Sequence, residues 1–373
     1  MRTARSTQPR TALVLGGGGI TGGLYEVGAC LGLDTVLENL RPCDFDLYVG
    51  TSAGAFVAAL LANRVTPQQL RDTLVKDRRT LPHLTGSQFL SLPWRHYLTA
   101  MTRLGAAVPR LAFDLWWNWR DALVLDTLGS LVRYLPHGVL ALDGIESYVR
   151  AVLTRGDRTN DFRRLQRPLL VPATALDTGA IHVFGERRGE HTPISKAVAA
   201  SAAIPLLFAP VEIDGVDYVD AAVTKSAHAG LALDRGAGLV VVVNPVRPLV
   251  LDHPSLGRVR DGGATAIAGQ SLRIALQRRL HDGMRRHAYE HPEADLVLLE
   301  PYHHDLQLFD VPLMTHNLRL EVIRRGYRTT IKTVLGDYER YVALFARHGI
   351  TLTARDEIER RARRWSSAAR RAA

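Results

Sequence analysis

Cysteine is nearly absent from this chain. Its 373 residues include two, Cys30 and Cys43. Two are too few for a disulfide framework, and their spacing is not that of a metal-binding set. Buried, reduced thiols are expected instead. Lysine is scarce too, with four among 47 basic residues and Arg supplying the rest. No apolar run approaches the length of a bilayer span. Arg2, Arg5 and Arg10 followed by TALVL have the order of a signal peptide. That apolar stretch runs straight into glycines, however, so it is read as the first strand. No internal repeat or low-complexity tract is present, which excludes a solenoid or an array. These absences leave a folded globular chain, expected in the cytoplasm, with peripheral contact to the inner face of a membrane left open.

Charge is plentiful and of one dominant sign. The formal net charge is +10, and the last twenty residues, ARDEIERRARRWSSAARRAA, carry seven Arg against three acids. Such a segment suits anionic lipid or nucleic acid. It equally suits a solvated helix end with a frayed tail. No nucleic-acid-binding module accompanies it, so nucleic acid is not an expected partner.

Glycine is concentrated near the start, in TALVLGGGGITGG (11–23). A strand-like run ends and the backbone loses its side chains. Three readings follow. Gly17, Gly19 and Gly22 satisfy G-x-G-x-x-G between a strand and a helix, the pattern that brings a dinucleotide pyrophosphate to a helix N-terminus. The acid that would then hold the ribose is Glu38 or Asp44. Alternatively, consecutive glycines offer free backbone N–H groups to a developing oxyanion. The third reading is a turn for close strand–helix packing.

The oxyanion reading demands a nucleophile nearby, and the next strand supplies one. DLYVGTSAGAFVAALL contains Gly50-Thr51-Ser52-Ala53-Gly54, a G-x-S-x-G between a strand (44–50) and a helix. Small residues around Ser52 permit the sharp elbow that exposes its hydroxyl, and a helix N-terminus lies beneath it. A serine hydroxyl needs a base. His228 and the pair His303-His304 come late enough for a Ser-Asp-His order, but none stands in a distinctive frame. Asp220 does. VEIDGVDYVDAAVTKSA reads as a hairpin turning at Asp214-Gly215, with Asp220 among alanines at a strand end. Asp214 and Asp217 read as ordinary turn aspartates.

Two strands that each feed a helix through a tight turn point to a parallel α/β sheet. Later strands are expected at 167–176, 180–186 and 238–245, with a helix at 195–203. Residues 76–145 are rich in Leu, Pro and aromatics. Four of the five Trp lie there (Trp94, Trp116, Trp117, Trp119), and the stretch reads as a helical insertion. Residues 263–345 read as helical, interrupted by a short strand at ADLVLLEP.

Taken together, these segments resemble the patatin-like phospholipase family. LGGGGITG is similar to its glycine-rich motif, and GTSAGA to its nucleophile elbow. ATALDTGAIHVFGE and AASAAIPLLFAPV look like its next two segments. YVDAAV occupies the place of its D-G-[GA] motif, and GLVVVVNP resembles the strand that follows. The resemblance implies a three-layer α/β sandwich with a mostly parallel central sheet, a helical insertion and a helical C-terminal extension. It implies a catalytic core over 11–250, a cap within it at about 76–145, an extension of the same domain over 251–345, and a basic tail over 346–373. It also implies a Ser-Asp dyad, with Ser52 as nucleophile and Asp220 as base. The oxyanion hole would come from the N–H groups of Gly17, Gly18 and Gly19, and the elbow would be shaped by Gly50 and Gly54. The reaction would be hydrolysis of an acyl ester of a lipid, phospholipase A- or lysophospholipase-like, with no metal and no cofactor.

Two positions depart from the family pattern. Thr21 stands where Arg or Lys is usual, which bears on phospholipid preference. Ala221 replaces the glycine after the aspartate, and a methyl group there would strain a positive φ. These departures motivate an alternative reading, a catalytically weak lipid-binding or regulatory protein that keeps the fold. The aromatic segment 89–119 is expected to cap an acyl channel, meet a membrane interface, or simply pack as a core.

Overall fold

The computed structural model describes residues 10–75, 102, 140–186, 189–250, 257–302 and 316–371. Within them, an eight-stranded mixed sheet is flanked by helices. In chain order, β1 (Thr11–Leu15) leads to α1 (Gly19–Val36), and β2 (Leu47–Gly50) leads to α2 (Ala53–Ala62) and α3 (Pro67–Val75). After the insertion come α4 (Asp143–Leu153), β3 (Leu169–Ala175), β4 (Ile181–Phe184) and α5 (Ile194–Ser201). Then follow β5 (Val211–Ile213), β6 (Val216–Asp220), α6 (Gly230–Leu233), β7 (Leu239–Val243) and α7 (Gly263–Glu290). The chain closes with β8 (Asp295–Leu299), α8 (His316–Gly336), α9 (Tyr338–Ala346) and α10 (Arg355–Arg371).

The strand order is β5-β6-β3-β2-β1-β7-β8, with β4 also on β3. The pairs β1–β2, β1–β7, β2–β3 and β7–β8 are parallel. Those joining β3 to β4, β3 to β6 and β5 to β6 are antiparallel. Successive residues of a strand face opposite sides, and β1 shows what covers each. Leu13 and Leu15 enter a core shared with α1, α2 and α8. Ala12 and Val14 enter a second core with Ala232 and Leu233 of α6 and Leu280 of α7. Every residue of β1, β2, β3 and β7 is buried, as expected for strands covered on both faces. The three-layer, mostly parallel arrangement is thus present.

Helix α1 is buried nearly all round, because α8 lies on its outer side. The two backbones approach so closely that a Cβ on Gly326 would come 2.1 Å from the Tyr25 carbonyl oxygen, and one on Gly28 2.0 Å from that of Ile323. Glycine at both positions lets the helices touch backbone to backbone.

Some expected boundaries shift. The first helix starts at Gly19, inside the glycine run, and the second strand begins at Leu47 rather than 44. Residues 143–145 belong to α4, which packs on α5 in the core. The rest of the expected cap, with its four Trp, lies outside the described residues apart from Thr102 and residues 140–142, where Leu140 bridges to Phe208 and Leu142 is buried. The C-terminal segment differs from a frayed tail. Residues from Arg355 to Arg371 form α10. Ile358 is fully buried, and the Trp365 ring stacks on Tyr327 at 4.2 Å. Several of its arginines are spent on acids one turn away, among them Arg361–Glu357 at 2.8 Å and Arg363–Glu359 at 3.3 Å. Among the described residues, no helix is long and apolar enough to cross a membrane.

Candidate active site

The glycine loop and the serine elbow meet because β1 and β2 are parallel neighbours. Thr51 N–H donates to the Leu15 carbonyl at 3.0 Å, extending the pairing one residue past the strands. Ser52 then turns sharply, with φ 55° and ψ −124°, and caps α2. A non-glycine residue in that region is strained by about 1–3 kcal/mol. Tight packing holds it there. A Cβ on Gly54 would sit 2.5 Å from the carbonyl oxygens of both Leu15 and Gly16. Only glycine lets α2 start this close to β1.

Asp220 ends β6. Its N–H donates to the Ala203 carbonyl at 2.9 Å, and its Oδ1 accepts from Ala222 N–H at 2.7 Å. The carboxylate is buried and lies within hydrogen-bonding reach of the Ser52 hydroxyl. Burial raises its pKa from the ordinary 3.8 to about 6, against the opposing pull of the Ser52 and Ala222 hydrogen bonds. The group is therefore ionised at neutral pH yet basic enough to accept a proton. The methyl of Ala221 costs nothing here. The described non-glycine residues with positive φ are Ser52, Arg64, Leu206 and Asp214, and Ala221, itself buried, simply opens a 3₁₀ turn.

Gly17 completes the juxtaposition. A Cβ placed on it would lie 3.4 Å from Ser52 Cβ and 3.0 Å from Ala222 Cβ. Its N–H, however, donates to the Ser226 carbonyl at 2.7 Å. That group is committed, which corrects the expectation of three oxyanion donors from the loop. Gly18 and Gly19 remain. They head α1, where the first N–H groups have no partner within the helix. Thr21 lies in the same first turn, largely buried.

The acids required by the dinucleotide reading are misplaced. Glu38 and Asp44 both precede β2, at the end of the sheet opposite the glycine loop, and Asp44 pairs with Arg64 at 3.2 Å. Among the histidines weighed as bases, His303 and His304 lie outside the described residues. His228 is buried and turns Nδ1 to Thr51 Oγ1 at 3.1 Å, bracing the elbow one residue before Ser52. Burial, with Lys225 nearby, lowers its pKa to about 3, so the ring is neutral.

Two contributors escaped the reading of the sequence. Ser201, at the end of α5, accepts the Ser52 N–H on its Oγ at 2.9 Å. With Ala203 holding Asp220, the end of α5 positions both members of the pair. Its signal lay in AASAAIP, a segment noted for its resemblance and not for a role. Glu26 of α1 is fully buried near the Gly16 backbone, and neither carboxyl oxygen has a side-chain partner. Burial holds its pKa well above the usual carboxylate range, against the opposing pull of the Gly16 backbone. Replacing Ser201 by Ala should orphan the Ser52 N–H and lower kcat about ten- to hundredfold with KM little changed. Steady-state kinetics on a soluble ester would read that split.

A doubly covered, mostly parallel sheet, with a strained serine between strand and helix close to a buried carboxylate, defines an α/β protein with a serine turn at the end of its second strand. The chain belongs to the patatin-like phospholipase family, whose profile matches residues 13–233. That membership supports lipid acyl hydrolase activity in the broad sense. Among solved structures, the chain is similar to VipD from Legionella pneumophila, with 14% identity and a TM-score of 0.39, covering 88% of this chain and 66% of that one. It is also similar to the type III effector protein ExoU, with 14% identity and a TM-score of 0.34, covering 87% of this chain and 53% of that one. The chain thus spans under two thirds of the length of either. No curated protein sequence matches it.

Proposed function

We propose that the protein is a serine lipid acyl hydrolase working through a Ser52–Asp220 dyad, phospholipase A- or lysophospholipase-like in substrate. One observation carries this reading: a serine held in a strained, positive-φ elbow within reach of a buried carboxylate. Asp220 takes the Ser52 proton as Oγ attacks the acyl carbonyl. The oxyanion of the tetrahedral intermediate is received by the N–H groups of Gly18 and Gly19. Collapse of the intermediate breaks the ester bond, and Asp220 returns the proton to the departing alcohol. Water, deprotonated by the same carboxylate, then attacks the acyl-enzyme carbonyl; the bond to Ser52 Oγ breaks, Asp220 returns the proton to Oγ, and the carboxylic acid leaves.

The surroundings suit an apolar acyl chain. Three of the segments that carry the site, though not the serine elbow, also expose an apolar side chain close by in sequence. Ile20 follows the glycine loop, Val223 follows Asp220, and Leu206, 88% exposed with φ 71°, follows α5. The lipid-binding alternative rested on Thr21 and Ala221, and the strain-free Ala221 removes half of its support. Incubation with phospholipid and lysophospholipid micelles separates the two readings. Fatty acid release by wild type, absent in Ser52→Ala, is expected. Micelle binding without release by folded wild type would favour the lipid-binding reading.

A further inference from the structure

Helix α7 ends in His287-Ala288-Tyr289-Glu290-His291, a stretch the site above does not use. Residues three and four apart lie on one helix face. The ligand atoms of His287, Glu290 and His291 accordingly fall within 4.8 Å of one another. His287 Nδ1 stands 3.7 Å from Glu290 Oε2. In the turn beyond the helix, Glu293 Oε1 reaches to 3.3 Å from His291 Nδ1. Imidazole and carboxylate together are the donor set of zinc and its first-row neighbours, and a histidine pair at i, i+4 is a recurrent way to present it. Ligands of a tetrahedral zinc lie about 3.3 Å apart, given bonds near 2.0–2.1 Å. Small side-chain rotations close the difference.

A second observation points the same way. His287 Nδ1 is buried and has no hydrogen-bond partner. Buried polar atoms are normally satisfied, and a metal ion would satisfy this one. The ring is also held in place, because a Cβ on Gly230 would lie 3.0 Å from its Cε1. The carbonyls ending α7 add negative partial charge. Against these stand two cations, Lys225 and Arg286, which face His287. Arg286 Nε lies 3.7 Å from Glu290 Oε2. The carboxylates of Glu290 and Glu293 offset that positive charge.

We propose that His287, Glu290 and His291, with Glu293 or water as the fourth ligand, bind one divalent transition-metal ion of the zinc class. The ion would pin the end of α7 to the start of α6, through the contact of His287 with Gly230. The proposal stands apart from the assignment of Ser52 as nucleophile.

The test uses the untagged full chain, stripped with a chelator and dialysed against zinc alone, with metal content and thermal unfolding as readouts. One zinc per chain and a raised Tm are expected. Glu290→Gln should weaken binding at least tenfold, and His291→Ala should abolish the stoichiometric ion. Both side chains are partly exposed, so both variants should fold, which circular dichroism checks. Wild type that binds no stoichiometric zinc, or folded variants of both kinds that keep wild-type affinity, would overturn the proposal.

Discussion

Replacing Ser52 by Gly should reduce acyl-ester turnover by at least about ten-thousand-fold while leaving the protein more stable. The first effect follows from removing the hydroxyl proposed to form the acyl-enzyme. The second follows from the backbone. At φ 55° and ψ −124° a side chain is strained by about 1–3 kcal/mol, and glycine is not. Glycine gives back about 0.5–1 kcal/mol through its freer unfolded chain. A net gain of about 0.5–2 kcal/mol is therefore expected. Denaturant melts of the two proteins read it directly. A variant that is inactive and less stable would mean that the elbow stores no strain.

Replacing Asp220 by Asn should produce the same pairing of effects through electrostatics. Turnover should fall about a thousandfold or more, because the amide cannot take the Ser52 proton. The acid limb of the wild-type pH–rate profile should sit near pH 6, the folded-state value of this carboxylate. Stability carries the opposite sign. Folding raises this pKa from 3.8 to about 6, so burial disfavours the charged form. The penalty is absent below pH 3.8, grows between 3.8 and 6, and is complete above 6, where it approaches about 3 kcal/mol. Asp220→Asn should remove it and unfold later than wild type at pH 7, by about 1–3 kcal/mol. At pH 3.5 the two should unfold alike. Melts at both pH values check this. An advantage that persisted unchanged at pH 3.5 would point to packing and not to ionisation.

The centre of the site was legible because it is local. TALVLGGGGITGG and DLYVGTSAGAF each write strand, turn and helix within a dozen residues, and small side chains marked both turns. Asp220 was legible as a carboxylate at a strand end among alanines. The supports were not legible, because they come from far along the chain. Nothing near Gly17 announces that its N–H goes to the Ser226 carbonyl, or that Ser201 receives the Ser52 N–H. His228 read as a weak candidate base, and only the fold shows it bracing Thr51. The C-terminus misled for a related reason. Its arginines suggested a solvated tail, while Ile358 and Trp365, few among many charges, are what dock α10. The close approach of α1 and α8 was hidden as well. No sequence pattern shows that Gly28 lies against the Ile323 backbone.

The central claim is an activated Ser52, and a fluorophosphonate probe tests it most directly. The adduct would be located by peptide mass mapping in wild type, Ser52→Ala and Asp220→Asn. The account predicts one adduct, on Ser52, forming more slowly below pH 6. It should be absent in Ser52→Ala and strongly slowed in Asp220→Asn. A folded wild type that takes no label, or takes it on another residue, would contradict it.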